Sequence, residues 1–201
     1  EAFKLFLNNH PEGALFLHTQ QNAPGQFPLK QYCRYLGIES RCFFVDDYIQ
    51  QFKANSDFIV KEYNAFDALL HPSQTEGFGL CIIEAQASVI PVVVQDCQSM
   101  PELIVSGKTG FACKTAYKRW TNDESFVHVA DVKDLHEQME KVYQMIKANP
   151  NKVAVDCRKW IKENYNVDTL VTDVWIPLFE NLQEELLPQA LQTAPQNIQS
   201  T

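Results

Sequence analysis

Short apolar runs alternate with longer stretches of helical periodicity over the first half of the 201-residue chain. Apolar runs of strand length bounded by turn residues are typical of buried strands, whereas apolar residues three or four positions apart predict amphipathic helices. The predicted strands are residues 14–19, 42–45, 68–72, 91–95 and 110–113. This alternation predicts an α/β fold in which helices flank a parallel sheet on both faces.

Helices are predicted between the strands and then through the rest of the chain, which forms a C-terminal helical segment. The predicted helices are residues 28–36, 49–66, 78–88, 101–106, 132–147, 151–164 and 168–187. The last of these carries one apolar stripe that needs a partner surface, and Pro177 predicts a kink in it. Residues 188–201 are rich in Gln, Pro, Ser and Thr, so they are expected to form a flexible tail.

The composition narrows the classes of function. A net charge of −8 argues against general nucleic-acid binding, which needs clustered Lys and Arg side chains. The six cysteines have no Cys-x-x-Cys spacing and are interpreted as reduced core residues. No apolar run approaches the roughly 20 residues that span a bilayer. We therefore expect a cytoplasmic protein with no transmembrane segment and no nucleic-acid partner.

Residues 76–84, Glu-Gly-Phe-Gly-Leu-Cys-Ile-Ile-Glu, follow a predicted strand and open a predicted helix. Gly77 and Gly79 leave backbone N–H groups unshielded at the helix start, and such groups attract anions. Glu76 and Glu84 bracket these glycines, and carboxylates accept hydrogen bonds from sugar hydroxyls. N–H groups that can donate hydrogen bonds to phosphate, beside carboxylates that can accept them from hydroxyls, predict a site for a sugar phosphate.

Further motifs surround this segment in a fixed order. They are Pro-Ser at residues 72–73, Glu-Ala-x-Ala at 84–87, Pro-Val-Val at 91–93, Pro-Glu-Leu-Ile at 101–104 and Gly-Lys-Thr-Gly-Phe at 107–111. The combined string resembles the donor-binding half of retaining GT-B glycosyltransferases of family 4, from the first residue to about Leu187. The resemblance implies a Rossmann-like domain at residues 1–166, which is one half of a GT-B fold. It also implies a helix at 167–187 that crosses back to the other domain, followed by the flexible tail at 188–201.

The resemblance implies roles for the residues of this segment. Glu76 is expected to contact the donor sugar as the catalytic residue, and Glu84 is expected to bind the ribose hydroxyls. Backbone N–H groups between them would bind phosphate and sugar, and they belong to Gly77, Phe78, Gly79 and Leu80. The less favoured alternatives are a helix N-cap for Glu76, a charge on a solvated helix face for Glu84 and a simple turn for the glycines.

Two further positions are predicted to bind the donor. His18 and Thr19 end a predicted strand at the carboxyl edge of the sheet, where open α/β sheets bind ligands. Tyr48 follows the next strand and is expected near the nucleotide base. The alternative for His18 is a residue that is merely packed at a strand end.

Three motifs of other nucleotide enzymes are missing from the sequence. The sequence Gly107-Lys108-Thr109 is no P-loop, because the required earlier glycine is Glu102. A Gly-x-Gly-x-x-Gly fingerprint and the Asp-x-Asp pair of metal-dependent sugar transferases do not occur. We therefore expect no metal and no cofactor, with a nucleoside-diphosphate sugar as the donor substrate.

The sequence departs from the family pattern at two places, its first residues and Val89. Residues 1–7 resemble the family's first helix already under way, so a strand and its glycine-basic loop are expected upstream. That strand would lie between residues 14–19 and 68–72. The chain is thus interpreted as a fragment that needs its N-terminal GT-B domain in cis and shows no turnover alone. In addition, Val89 stands where a helix-ending glycine is usual, so the preceding helix is expected to end without a left-handed residue.

The leading hypothesis is the transfer of a hexosyl group from a nucleoside-diphosphate sugar to an acceptor, with retention of configuration. The alternative is a non-catalytic GT-B-like module that binds a nucleotide or a partner protein. A related GT-B epimerase or phosphorylase is a weaker third possibility. The sequence does not identify the sugar, the base, the acceptor or the oligomeric state.

Overall fold

The computed structural model describes residues 1–19, 27–53 and 55–193. The chain divides into two compact units, the first spanning Glu1–Trp160 and the second beginning at Ile161. The strands, all in the first unit, are β1 (Leu15–Leu17), β2 (Cys42–Phe44), β3 (Leu69–His71), β4 (Val92–Gln95), β5 (Gly110–Cys113), β6 (Thr115–Trp120) and β7 (Phe126–Ala130). The first five correspond to the five predicted strands.

Helices surround these strands in the first unit. They are α1 (Ala2–Asn9), α2 (Leu29–Tyr35), α3 (Asp47–Phe52), α4 (Ser56–Tyr63), α5 (Leu80–Ala87), α6 (Val132–Ala148) and α7 (Pro150–Asn164), the last of which continues into the second unit. Two 3₁₀ turns lie at Glu39–Arg41 and Met100–Leu103. The predicted helix-flanked parallel sheet of an α/β fold is confirmed.

The parallel strands form two groups. β3, β4 and β5 make one sheet in the order β3-β4-β5, and β1 pairs with β2 in another. All residues of β4 are fully buried, which explains its continuous Val-Val-Val run. A hydrophobic cluster on one side of the strands joins α1, α2 and α6 to the sheet through residues such as Phe3, Cys33 and Val142.

A wide gap separates the two groups of parallel strands. In the described part of the chain, no strand pairs with the edge of β1 away from β2 or with the edge of β3 away from β4. Residues of both strands, including Leu15, Leu17 and Leu70, line one cavity of about 1570 Å³. This gap lies where the sequence predicts that an upstream strand inserts.

The region after β5 differs from the sequence prediction. The pattern after the predicted strand at 110–113 predicts helices only, but β6 and β7 form an antiparallel hairpin. Five of the six β6 residues are exposed, so the strand carries no apolar alternation. A strand as exposed as β6 leaves no periodic signal in the sequence.

Two predicted helices are shorter than expected. The single helix predicted at residues 49–66 is divided into α3 and α4, and the Asn55 side chain caps α4 by accepting from the Phe58 N–H. An N-cap residue starts a new helix because it satisfies donors that the preceding helix cannot reach. The helix predicted at 101–106 is one 3₁₀ turn, Met100–Leu103.

The end of α5 corrects another expectation. Val89 has φ of 65°, which is the left-handed conformation that the sequence argument excluded. The Ile90 N–H donates to the Ala85 carbonyl at 3.0 Å and the Val89 N–H donates to the Gln86 carbonyl at 3.0 Å. These two bonds form a complete Schellman cap, whose hydrogen bonds offset the strain of a β-branched residue at this position.

The described part of the second unit is helical except at Tyr165 and Asn166. It contains the end of α7, α8 (Val167–Leu170), a π-helical turn (Val171–Trp175) and α9 (Ile176–Thr193). One residue separates the π turn from Pro177, whose missing N–H interrupts the normal helical bonding. Residues 188–193 of the predicted tail are helical, and residues 194–201 lie outside the described residues. No helix in the described ranges has both the length and the apolar composition of a membrane span.

Candidate functional site

Residues 72–79, here called the site loop, connect the carboxyl end of β3 to the start of α5. Gly79 is the N-cap of α5 with φ of 103°. A Cβ atom on Gly79 would lie 2.8 Å from Ile82 Cδ1 and 2.9 Å from Leu103 Cδ1, whereas one on Gly77 would meet nothing within 4 Å. Gly79 is therefore required by the backbone and packing, and Gly77 faces open space.

Glu76 lies in the site loop, where two residues fix it. Its Oε2 atom is 3.1 Å from His71 Nε2, and its backbone N–H donates to the Gln98 side-chain oxygen. The Glu76 side chain is one-quarter exposed. Because Gly79 is the N-cap of α5 and no side chain caps that helix, the alternative of Glu76 as an N-cap carboxylate is wrong.

Two segments from elsewhere in the chain, one after β4 and one in the hairpin, hold the site loop. Gln98 donates to Thr75 Oγ1 at 3.0 Å, and Ser99 Oγ donates to the Phe78 carbonyl at 2.9 Å. Gln98 adopts a left-handed φ of 51°, which turns its side chain toward the loop from the segment after β4. The hairpin contributes as well, since the backbone N–H of His128 in β7 donates to the Gln74 carbonyl at 2.8 Å.

Two backbone donors just before α5 have no acceptor among the described residues. They are the N–H groups of Gly77 and Gly79. The side chains of Phe78 and Leu80 are 44% and 63% exposed. Unpaired N–H groups at the start of a helix stabilise a nearby negative group by about 0.3–1 kcal/mol. The local geometry suits an anion such as a phosphate.

Glu84 lies on the exposed side of α5, where Tyr63 of α4 fixes its carboxylate. The Tyr63 hydroxyl donates to Glu84 Oε2 at 3.1 Å. Burial raises the pKa of Tyr63, and the negative charge of Glu84 raises it further. The phenol therefore remains a hydrogen-bond donor at neutral pH, and it orients one oxygen of Glu84.

The remaining predicted residues are distributed around the first unit. His18, at the end of β1, lies 2.6 Å from Glu62 Oε2 through Nδ1, and it lines the same cavity as Glu84. Among the described residues that line this cavity, neither Thr19 nor Tyr48 occurs. Tyr48 is 58% exposed on α3, and its ring packs against Phe52.

Four residues of the site escaped the sequence analysis: Glu62, Tyr63, His71 and Gln98. His71 ends a parallel strand at its carboxyl edge, which is a recognisable signal for a site residue. Gln98 follows β4 at the same edge. Glu62 and Tyr63 act from a helix, and no local pattern distinguishes them from ordinary surface and core residues.

The described residues contain no group of three or more His, Cys, Asp or Glu side chains placed to hold a metal ion. All six cysteines are free thiols. Burial raises the pKa of Cys113 and of Cys157 to about 12, so these two core thiols stay protonated.

The comparisons with known proteins agree with this geometry. The model of the glycosyl transferases group 1 family matches residues 2–123, and the chain belongs to that family. The D-inositol 3-phosphate glycosyltransferase of Corynebacterium diphtheriae is 39% identical over 77 residues, which cover 38% of this chain and 17% of that protein. The match thus spans about a sixth of the relative's length.

Solved structures share the fold at low sequence identity. The C-terminal domain of a glycosyl transferase group 1 family protein (LpcC) from Francisella tularensis has a TM-score of 0.58 at 21% identity, covering 83% of this chain and 76% of that one. The pneumococcal O-GlcNAc transferase GtfA, in complex with UDP and GlcNAc, has a TM-score of 0.61 at 15% identity, covering 92% and 32%. The predicted glycosyltransferase relationship is confirmed, and the non-catalytic alternative is not favoured.

Proposed function

We propose that this chain is the donor-binding domain of a hexosyl-type glycosyltransferase that uses a nucleoside-diphosphate sugar and retains the anomeric configuration, as in family 4. One observation carries the proposal. The open N–H groups of Gly77 and Gly79 lie between two oriented carboxylates, Glu76 and Glu84, at the carboxyl end of β3. N–H groups that donate hydrogen bonds to an anion, beside carboxylates that accept hydrogen bonds from hydroxyls, suit a sugar diphosphate.

The proposed mechanism depends on positioning and charge stabilisation. The N–H groups of residues 77–80 bind the diphosphate and stabilise the negative charge that develops as it departs. Glu76 holds the donor sugar for attack by the acceptor on the same face. Glu84 accepts hydrogen bonds from the ribose hydroxyls. Because the acceptor is charged, each of these bonds contributes about 1.5–3 kcal/mol to binding.

Three further residues complete the proposed donor site. His18 and Thr19 at the end of β1 contact the donor phosphate or sugar, and Tyr48 contacts the base. His18 is oriented by Glu62, which supports a role for its ring in the cavity that Glu84 also lines. We propose that the enzyme is cytoplasmic and requires no metal or other cofactor.

We propose that the chain needs its N-terminal GT-B domain in cis and also one further strand of its own sheet; the gap between β1 and β3 supports the further strand. Among the residues that the structure describes, each of the two strands is paired on one side only, and both line the same cavity of about 1570 Å³. An upstream strand inserted between β1 and β3 would satisfy both edges and make one continuous sheet. The acceptor would bind between this domain and the upstream one.

The experiment compares Glu76→Ala and Glu84→Ala in the full-length enzyme. Glu76→Ala should lower kcat by about 100-fold, because one oriented group at the reacting centre is lost. Glu84→Ala should mainly weaken donor binding, on the order of 10- to 100-fold. Steady-state kinetics and calorimetry with UDP-, GDP- and ADP-sugars separate the two effects and identify the base.

Glu137→Ala is the matched control, because Glu137 is an exposed carboxylate on α6 far along the chain from the site loop. It should leave both constants unchanged. Equal and negligible effects of the two site substitutions would remove the assignment of Glu76 and Glu84.

A further inference from the structure

His71, the last residue of β3, lies between Glu76 and Cys81. Its Nε2 atom is 3.1 Å from Glu76 Oε2. The Cys81 sulfur lies 3.3 Å from His71 Nδ1 and 3.7 Å from Nε2. The His71 side chain is 19% exposed, so most of the ring is enclosed.

The two sulfur distances show how the ring is held. A sulfur in line with one ring nitrogen would be much farther from the other nitrogen. Because both distances are short and similar, Cys81 packs over the face of the imidazole ring and does not hydrogen-bond at its edge. A polarizable sulfur on an aromatic face is a favourable contact, and it fixes the plane of the ring.

The hydrogen-bond partner of His71, Glu76, determines which ring nitrogen carries the proton. An ionised carboxylate only accepts hydrogen bonds, so Nε2 must carry the hydrogen that is shared with Glu76 Oε2. Burial raises the pKa of the Cys81 thiol, and the charge of Glu76 raises it further. The sulfur is therefore neutral and does not compete for that proton.

The other carboxylate oxygen of Glu76 remains available. No described residue donates to Glu76 Oε1. Gln98 fixes the Glu76 backbone while His71 fixes its side chain, so one oxygen has a defined position at the surface of the site.

We propose that His71 is the positioning residue of Glu76: its Nε2–H holds Oε2, the Cys81 sulfur holds the ring plane, and Oε1 is thereby presented to the donor sugar. This inference rests on the proposed function for the direction in which Oε1 acts. The contact itself is independent of any substrate.

The first part of the test needs no activity. Nitrogen NMR of the full-length protein labelled with ¹⁵N-histidine reports which ring nitrogen of His71 carries the proton. We expect the hydrogen on Nε2, and we expect Glu76→Ala to change that Nε2–H resonance and speed its exchange. A neutral ring with the proton on Nδ1 alone, or a resonance that Glu76→Ala leaves unchanged, would overturn the proposal.

The second part uses two amide substitutions in the full-length enzyme. The amide nitrogen of His71→Gln reaches the place of Nε2, whereas that of His71→Asn reaches only the place of Nδ1. We expect His71→Asn to lower kcat by about tenfold or more with KM within about threefold, because Glu76 is misplaced. His71→Gln should restore most of that loss.

The two parts separate the possible failures. Equal losses in kcat for both amide variants would refute positioning through Nε2 even where sugar transfer is intact. An inactive wild-type enzyme with the proton on Nε2 would refute the proposed function and leave the contact standing. If circular dichroism shows that His71→Asn does not fold, the NMR spectra of the wild type and of Glu76→Ala still decide whether Nε2–H holds Glu76.

Discussion

The site loop and helix α5 are consecutive in the chain, yet different interactions hold them in place. Side chains from outside fix the loop by hydrogen bonds, chiefly Gln98 and Ser99 from the segment after β4. Burial fixes the helix, since Ile82 and Ala85 have no exposed surface. The difference teaches that residues of the loop can bind ligand because few of them are committed to the core.

Gly79 is the point at which the two regions meet, so Gly79→Ala should have the largest effect. The added methyl group meets Ile82 and Leu103 at a φ of 103°. We expect a loss of about 2–4 kcal/mol in the free energy of unfolding, from backbone strain and overpacking. Urea denaturation measures it.

Gly77→Ala is the matched control within the site loop. Its Cβ would meet nothing within 4 Å, so the change in stability should stay within about 0.5 kcal/mol. Equal losses from the two substitutions would mean that the loop is as constrained as the helix.

Val89→Gly should stabilise the helix side of the comparison. Relief of the left-handed strain gains about 1–2 kcal/mol, and the added freedom of glycine in the unfolded chain offsets part of it. We expect a net gain of about 1 kcal/mol in the same denaturation assay. A loss of stability would show that packing of the Val89 side chain outweighs its backbone strain.

Gln98→Ala should loosen the loop and leave the helix intact. It removes the acceptor of the Glu76 N–H and the donor to Thr75. A hydrogen bond of this kind contributes about 0.5–1.5 kcal/mol. Hydrogen exchange should therefore be faster at the Glu76 amide and unchanged at Ile82 and Ala85 in α5. Faster exchange across α5 would contradict separate anchoring.

The smallest effect concerns pH and the Tyr63–Glu84 contact. The pKa of Tyr63 is raised above its usual value of 10.0, first by burial and then by the charge of Glu84. The folded chain keeps the phenol proton above pH 10, where the unfolded chain loses it. Stability from this group is complete below pH 10 and falls as pH rises further.

Tyr63→Phe should reduce that alkaline slope, as measured by urea denaturation at several pH values. Glu84→Gln should reduce it only in part, because burial is the larger cause. An unchanged slope in Tyr63→Phe would assign the alkaline loss to other groups.

The sequence predicts the parts of this fold that depend on local periodicity. β4 was predictable because Val92, Val93 and Val94 are fully buried and form a continuous apolar run. The β6–β7 hairpin was not, because its exposed residues alternate in no regular way. The left-handed Val89 was missed because an average energetic cost was treated as prohibitive.

The candidate site shows the same division. Glu76, Glu84 and the glycines between them are close in sequence, so a local motif reveals them. The contacts that orient the two carboxylates are distant along the chain: Gln98 is 22 residues from Glu76, and Tyr63 is 21 from Glu84. Sequence spacing alone does not reveal such pairs, because the sheet topology determines which distant residues come together.

The central claim is that the N–H groups between Glu76 and Glu84 bind an activated sugar. Amide NMR of the full-length protein, titrated with a nucleoside-diphosphate sugar, tests it most directly. The account predicts that the largest shifts occur at Gly77, Phe78, Gly79 and Leu80 and that Glu84→Ala weakens the titration. Saturable binding that leaves these four amides unmoved would contradict it.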